Sequence, residues 1–410
     1  MFIEFPMGYK MGYERGDIQV RSRKGPRSDI SGGPGGGGEM KGRFDRRRFL
    51  RLAAGTGLGA AGLLSGCGRF GFSGPSPLPS REEKGLLSGS PDSLYAPHGR
   101  PGEWFNPWWK RRHGPLSYYR MRLFYRNEWW TAKRTPPRVP TVANDGDYLS
   151  EPERSTSFTW VGHCTYVVKD GGDTFLTDPH FGARAFFPKR LHPPGVPIEK
   201  IPADAFALLS HNHYDHMDVW TVDNLPDSVT WYVPMGLAGW FRDRGRRVVA
   251  LDWWQSARRG RWKLTCLPAQ HWSNRFGMGA NSTLWCSWLI ESESRKFFFA
   301  GDSGYYQGFA EYGRKFGPID AAMLPIGAYA PRWFMRYAHL DPAEAYRAFG
   351  ELRARWMLPM HWGAFDLTNE PLDQPPKELK KAVRAAGGDP EAVRLMAVGE
   401  RWRIPDPPAG

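Results

Sequence analysis

The segment Ser210-His211-Asn212-His213-Tyr214-Asp215-His216-Met217-Asp218 places three histidines and an aspartate within six consecutive positions. It follows Ala205-Phe206-Ala207-Leu208-Leu209, an apolar run with the length and flanks of a buried strand. The cluster is therefore expected at a strand exit, where α/β folds place their chemistry. Successive residues of an extended segment point to opposite faces, so His211 and His213 share one side. Asp215 and His216 then turn back at the start of the next helix. Imidazole and carboxylate at this density suit zinc or another borderline divalent cation. A lone histidine would read as a polar loop residue, but a cluster this dense favours a metal site.

Three later polar residues each end a strand-like run. His271 follows Leu264 to Gln270, Asp302 follows Phe297 to Gly301, and His361 follows Trp356 to Met360. Each is weak evidence alone. Added to His211, His213, Asp215 and His216, they complete five histidines and two aspartates, enough for two metals. Two dications sharing a hydroxide give a nucleophile near neutral pH and stabilise charge on phosphoryl oxygens, so a phosphodiester is a natural substrate. Asp215 or Asp302 would orient that hydroxide or take its proton as the catalytic carboxylate. The scaffold reads as mostly strands. Phe158–Val168 and Thr174–Pro179 flank an Asp170-Gly171-Gly172-Asp173 turn, and further runs recur at 229–233, 248–253, 262–267, 284–290, 296–300 and 321–324. The best helix signal is the capping box Asp341-Pro342-Ala343-Glu344, leading into Ala345, Phe349, Leu352 and Trp356 on one face. Many strands and few helices fit an α/β fold of two sheets packed face to face, with helices outside.

The motifs HNHYDH (211–216), AQHW (269–272), GD (301–302) and MHWG (360–363), in this order, resemble the metallo-β-lactamase superfamily. The resemblance implies an αββα sandwich with a dinuclear metal site along its strand-end edge. TWVGH, TDPHF, PAQHWSNR, LWCSWLI, FFFAGDSGYY, LPIGAYAPRWFM and LTNEPLDQPP resemble, more narrowly, the N-acylphosphatidylethanolamine-hydrolysing phospholipase D family, over about residues 105–376. Carried over by position, the resemblance implies two zinc ions. His211, His213 and His271 would hold one, Asp215, His216 and His361 the other, and Asp302 would bridge. Tyr305, Tyr329 and Arg332 lie in matching loops and are candidate substrate contacts for the leaving alkoxide, with packing as the competing role. His163 matches a family position outside the seven ligands and is expected to support them. The implied activity is hydrolysis of N-acylphosphatidylethanolamine or a related phospholipid to N-acylethanolamine and phosphatidic acid. Lactone or small phosphodiester hydrolysis is the alternative, and a non-catalytic lipid-binding envelope lipoprotein the second. Residues 106–147 match the family poorly after Phe105-Asn106-Pro107-Trp108, which leaves acyl preference open.

The N-terminal region carries a different message. Residues 1–40 are rich in Gly, Arg and Ser and are expected to be disordered. Met40 stands directly before a sensible leader and is an alternative start. Arg46-Arg47-Arg48-Phe49-Leu50 resembles a twin-arginine export signal, and the apolar run from about Leu52 to Leu64 is too short to span a membrane. It ends in Leu64-Ser65-Gly66-Cys67, similar to a bacterial lipobox in which Cys67 is lipidated. The expected organisation is a leader and signal over 1–66, a Gly/Pro/Ser-rich tether over 67–100 and a hydrolase domain over 101–410. The expected location is the periplasmic side of a bacterial envelope, membrane-held by the lipid anchor, with the outer membrane favoured by Gly68. Part of the formal net charge of +14 belongs to this leader, and an export signal argues against nucleic acid as partner. The remaining cysteines, Cys164, Cys266 and Cys286, are odd in number and imply no disulfide framework. The aromatic segment from Phe105 to Trp130 would either cover the core or lie against lipid.

Overall fold

The computed structural model describes residues 90–109, 139–153 and 155–406. The expected export signal, Cys67 and the aromatic segment beyond Trp109 lie outside the described residues. A short antiparallel pair, Gly99–Arg100 with Glu103–Trp104, precedes the strands of the two large sheets, which begin with β1 (Ser157–Gly162), β2 (Thr165–Asp170), β3 (Asp173–Thr177) and β4 (Phe206–Leu208). Helix α1 (Val219–Asn224), β5 (Thr230–Pro234), α2 (Ala238–Arg242) and β6 (Arg247–Leu251) follow. The second half opens with β7 (Ser256–Arg259), β8 (Trp262–Leu267), β9 (Ser287–Glu291), β10 (Lys296–Phe299), α3 (Gly308–Phe316) and β11 (Ile319–Pro325). It closes with α4 (Arg332–Met335), α5 (Pro342–Glu351), β12 (Ala354–Met360), α6 (Gln374–Ala385) and β13 (Arg401–Arg403).

Among the described residues the strands form a seven-stranded sheet, ordered β13-β1-β2-β3-β4-β5-β6, and a six-stranded sheet, ordered β12-β11-β10-β9-β8-β7. Each sheet is antiparallel on one side and parallel on the other: β3 to β6 run parallel in the first, and β10 to β12 in the second. Alternation along the strands divides the interior. Phe158, Val168, Phe175 and Phe206 face Trp262, Leu264, Trp288 and Phe297 between the sheets. Val161, Val167, Leu176 and Ala207 face outward to Val222 of α1 and Phe241 of α2. On the other side Phe309 and Tyr312 of α3 and Ala345 and Phe349 of α5 join the core of the second sheet. The result is the expected sandwich with helices outside.

Three local readings change. The run 158–168 is two strands, because Gly162 and His163 both adopt positive φ (117° and 55°) and turn the chain back. Helix α5 has its capping box, but Arg353 at φ 53° ends the helical phase, and Trp356 belongs to β12. Packed structure also begins inside the segment expected to be tether. Leu94 is buried in the main core, and the Tyr95 ring stacks on Trp254 at 4.4 Å. Among the described residues no helix is long and apolar enough to cross a membrane.

Candidate metal centre

The strand ends β4, β8, β10 and β12 deliver side chains to one edge of the sandwich. After β4 the chain runs on to His213, then makes one turn in which His216 and Met217 N–H groups donate to the His213 carbonyl (3.2 and 2.8 Å). Asp218 stops the turn and caps α1, accepting from the Thr221 N–H and hydroxyl (3.1 and 2.6 Å) and the Gly182 N–H (2.9 Å). The Asp302 segment approaches so closely that a Cβ on Gly301, φ 58°, would stand 2.5 Å from Ser210 Cβ. Only glycine permits this approach.

All seven expected ligands meet around Asp302 Oδ2. It lies 3.1 Å from both His216 Nε2 and His361 Nε2, 3.9 Å from His211 Nε2 and 3.8 Å from His271 Nε2. Asp215 Oδ2 is 3.4 Å from His216 Nε2 and from His361 Nε2. His213 Nδ1 is 2.8 Å from His211 Nε2 and 3.2 Å from His271 Nε2. The donors divide into two sets, His211, His213, His271 with Asp302, and Asp215, His216, His361 with Asp302, each within 4.8 Å.

Hydrogen bonds behind the cluster fix which imidazole nitrogen looks inward. His216 Nδ1 donates to Asp178 Oδ2 (2.6 Å), and His271 Nδ1 donates to the Ala338 carbonyl (2.9 Å). His211 Nδ1 is 2.8 Å from Ser210 Oγ, which itself donates to Asp178 Oδ2 (2.6 Å). In each ring Nε2 is then the lone-pair nitrogen, aimed at a carboxylate oxygen. His216 Nε2 and His361 Nε2 are buried without hydrogen-bond geometry to any partner. Lone pairs facing carboxylates in a dry site repel unless a cation sits among them. Contacts of 2.8 to 3.9 Å also bracket the donor separation of a tetrahedral site with zinc arms, about 3.3 Å. The residues therefore fit a metal.

The electrostatics carry the same signature. Burial would raise Asp302, but His216, His361 and His339 hold it well below the usual carboxylate range. Burial would likewise raise Asp215, which the neighbouring His216 and the hydrogen bond from His163 instead hold low. Burial pulls His361 down, yet Asp302 and Asp215 push it up to about 9.

Several further residues support the donors. His163 Nε2 lies 3.0 Å from Asp215 Oδ2, and its carbonyl accepts from the His361 N–H (3.1 Å) while His361 sits at φ 61°. This is the supporting place expected of it. Asp178, from the TDPHF motif, is fully buried and ties Ser210 and His216 together. His339 was missed: its Nδ1 is 3.8 Å from Asp302 Oδ2, and its ring packs on His271 and His361 at 5.3 Å. Its neighbours Ala338 and Leu340 are ordinary core residues, so no pattern marks it. Behind His271, Asn106 donates to the His271 carbonyl (3.1 Å), and Trp108 donates to Gln270 Oε1 (3.1 Å). The start of the aromatic segment thus packs as a brace.

Of the three expected substrate contacts, Tyr305 and Arg332 are engaged by neighbouring groups of the fold. The Tyr305 hydroxyl donates to Glu351 at the end of α5, and Arg332 binds Glu344, Asp341 (3.3 Å) and the His339 carbonyl (2.6 Å). The polar ends of these two are thus engaged by carboxylates and a carbonyl of the fold. Tyr329 lies buried on the 328–330 loop, whose three N–H groups donate to Glu370 (2.6, 3.3 and 3.1 Å). Cys164, Cys266 and Cys286 are buried free thiols.

Residues 173–362 match the β-lactamase superfamily domain. N-acyl-phosphatidylethanolamine-hydrolyzing phospholipase D 1 of Caenorhabditis elegans is 37% identical over 60% of this chain and 76% of its own length. An uncharacterized protein of Mycobacterium tuberculosis is 33% identical over 67% of this chain and 78% of its own. A possible metal-dependent hydrolase of Veillonella parvula has the same fold, with a TM-score of 0.51 at 14% identity, covering 60% of this chain and 99% of the other. With its donors converging on the strand-end edge, the chain belongs to the metal-dependent hydrolases of the β-lactamase superfamily, in the branch that includes N-acyl-phosphatidylethanolamine-hydrolyzing phospholipase D.

Proposed function

We propose that this protein is a dinuclear zinc phosphodiesterase that hydrolyses N-acylphosphatidylethanolamine or a closely related phospholipid, releasing N-acylethanolamine and phosphatidic acid. The observation that carries the reading is the buried double set of donors sharing Asp302. The phospholipase name of a relative that the chain covers over 76% of its length supplies the substrate class. His211, His213 and His271 would hold one zinc, Asp215, His216 and His361 the other, with Asp302 between. Bound there, the ions supply Lewis acidity toward phosphoryl oxygens and lower the pKa of water.

The two carboxylates have unequal access. The Asp215 side chain is 15% exposed against 2% for Asp302. Asp215 is therefore the group that a water proton reaches, and its hydrogen bond with His163 holds it in place. Asp302, surrounded by imidazoles, is the electrostatic centre of the cluster. Water adds its oxygen to phosphorus, the phosphorus–oxygen bond to the ethanolamide breaks, and the departing alkoxide takes up a proton. We place this chemistry at a membrane outside the cytoplasm, in keeping with the twin-arginine and lipobox features around Cys67.

Purified protein given N-acylphosphatidylethanolamine in mixed micelles should release ethanolamide and phosphatidic acid, and bind close to two equivalents of zinc. His213→Ala should abolish turnover and lower metal content. Full turnover by metal-stripped protein would refute the reading.

A further inference from the structure

Next to the metal cluster two short tips carry aromatic side chains into solvent. The first is the turn Arg184-Ala185-Phe186-Phe187-Pro188-Lys189, closed by a bridge between Arg184 and Lys189 and by the Ala185 N–H donating to the Pro188 carbonyl (3.0 Å). Phe186 and Phe187 are 54% and 63% exposed. The second is the turn closed by the Met278 N–H and the Arg275 carbonyl (3.0 Å), whose Phe276 is 92% exposed.

One residue of the metal motif joins them. The Tyr214 ring stacks on Phe186 at 4.5 Å, the Arg275 guanidinium lies 4.3 Å from its ring centre, and its hydroxyl accepts from the Phe276 N–H (3.1 Å). Tyr214 stands between His213 and Asp215 and is not among the donors. The first tip also rests on the other flank of the cluster. Ala185 packs on Ala364 and Phe365, and Phe365 lies against His163 at 5.3 Å.

We propose that these two tips insert into an anionic phospholipid surface and seat the metal centre against it. Exposed phenylalanines gain from transfer to an apolar layer, while Arg184 and Lys189, both exposed and flanking the apex, stay at the level of the head groups. Each exposed cation near an anionic surface adds attraction that salt screens. Tyr214 makes the coupling direct, because the residues that touch lipid are braced by the segment that carries His211, His213, Asp215 and His216. The inference rests on the phospholipase reading for its purpose, but its own test does not need turnover.

In the full chain, Phe187→Asp together with Phe276→Asp should reduce binding to phosphatidylglycerol-containing vesicles at least tenfold. Hydrolysis of lipid in those vesicles should fall through a raised KM, while hydrolysis of soluble bis(p-nitrophenyl) phosphate stays within twofold. A probe at the tip removes any contribution of the N-terminal leader. Phe187→Cys in a Cys67→Ser chain, labelled with an environment-sensitive fluorophore, should shift to the blue on phosphatidylglycerol vesicles and much less on phosphatidylcholine vesicles. No blue shift on either vesicle would overturn the proposal. If the fluorophore shifts and the wild-type chain hydrolyses no phospholipid, the tips stand and the phospholipase reading falls.

Discussion

Asp178 is the most informative residue to change, because it touches the cluster without belonging to it. Its carboxylate is fully buried and accepts three hydrogen bonds of 2.6 Å, from the Ser210 N–H, the Ser210 hydroxyl and His216 Nδ1. In Asp178→Asn one of the two side-chain acceptors becomes an NH2 donor. In place of Oδ1 it faces the Ser210 N–H as donor against donor, and in place of Oδ2 it faces His216 Nδ1 and the Ser210 hydroxyl. If the ring responds by moving its proton to Nε2, the lone pair aimed at Asp302 is lost. Outer hydrogen bonds of this kind are worth about 10- to 100-fold in metal affinity or activity, or about 1.4 to 2.7 kcal/mol. The loss should fall mainly on the site shared by Asp215, His216 and His361. A competitive zinc titration with a chromophoric chelator should therefore show one site weakened about 10- to 100-fold and the other within a few-fold. Circular dichroism should remain that of the wild type. Two zinc sites of unchanged affinity in a folded variant would refute the argument that Asp178 sets the His216 tautomer.

Three further outcomes follow from the same geometry. Glu370→Gln keeps the shape but puts a donor where the Ala328, Tyr329 and Ala330 N–H groups converge, and should cost about 1 to 3 kcal/mol in denaturant unfolding; a change under 0.3 kcal/mol would contradict it. Burial, then Arg190, lowers His180 to about 3, so the folded state resists its protonation. That stability is present above the unfolded value of about 6.5 and is lost as pH falls toward 3; metal-free His180→Asn should lose less stability than wild type between pH 7 and 5, and parallel losses would count against it. Arg332→Met should lower the melting temperature and leave KM for a soluble phosphodiester within twofold, because its guanidinium serves Asp341, Glu344 and the His339 carbonyl. A KM effect at unchanged melting temperature would restore Arg332 to the substrate.

The donors were legible because each announces itself locally. An apolar run followed within four residues by histidine or aspartate marks a strand exit, and β4, β8, β10 and β12 all obey that rule. What holds the donors was legible only where a motif already carried it, as with His163. Asp178 follows β3 in the same way as the donors follow their strands, yet its carboxylate points at Ser210, a neighbour that only the parallel pairing of β3 with β4 brings into reach. His339 follows no strand at all, and comes to the cluster because α4 and α5 fold back around Arg332. Spacing also says nothing of which way a side chain turns once its loop is placed. Tyr305 and Arg332 lie on the expected loops, but α5 presents Glu351 and Glu344 to them, and a carboxylate within reach outcompetes an open cleft for a phenol or a guanidinium. The reverse holds for Phe186, Phe187 and Phe276. In sequence they are three apolar residues among many, and nothing distinguishes them from core. The short turns that carry them leave most of each ring exposed, and that exposure beside Tyr214 is what gives them a task.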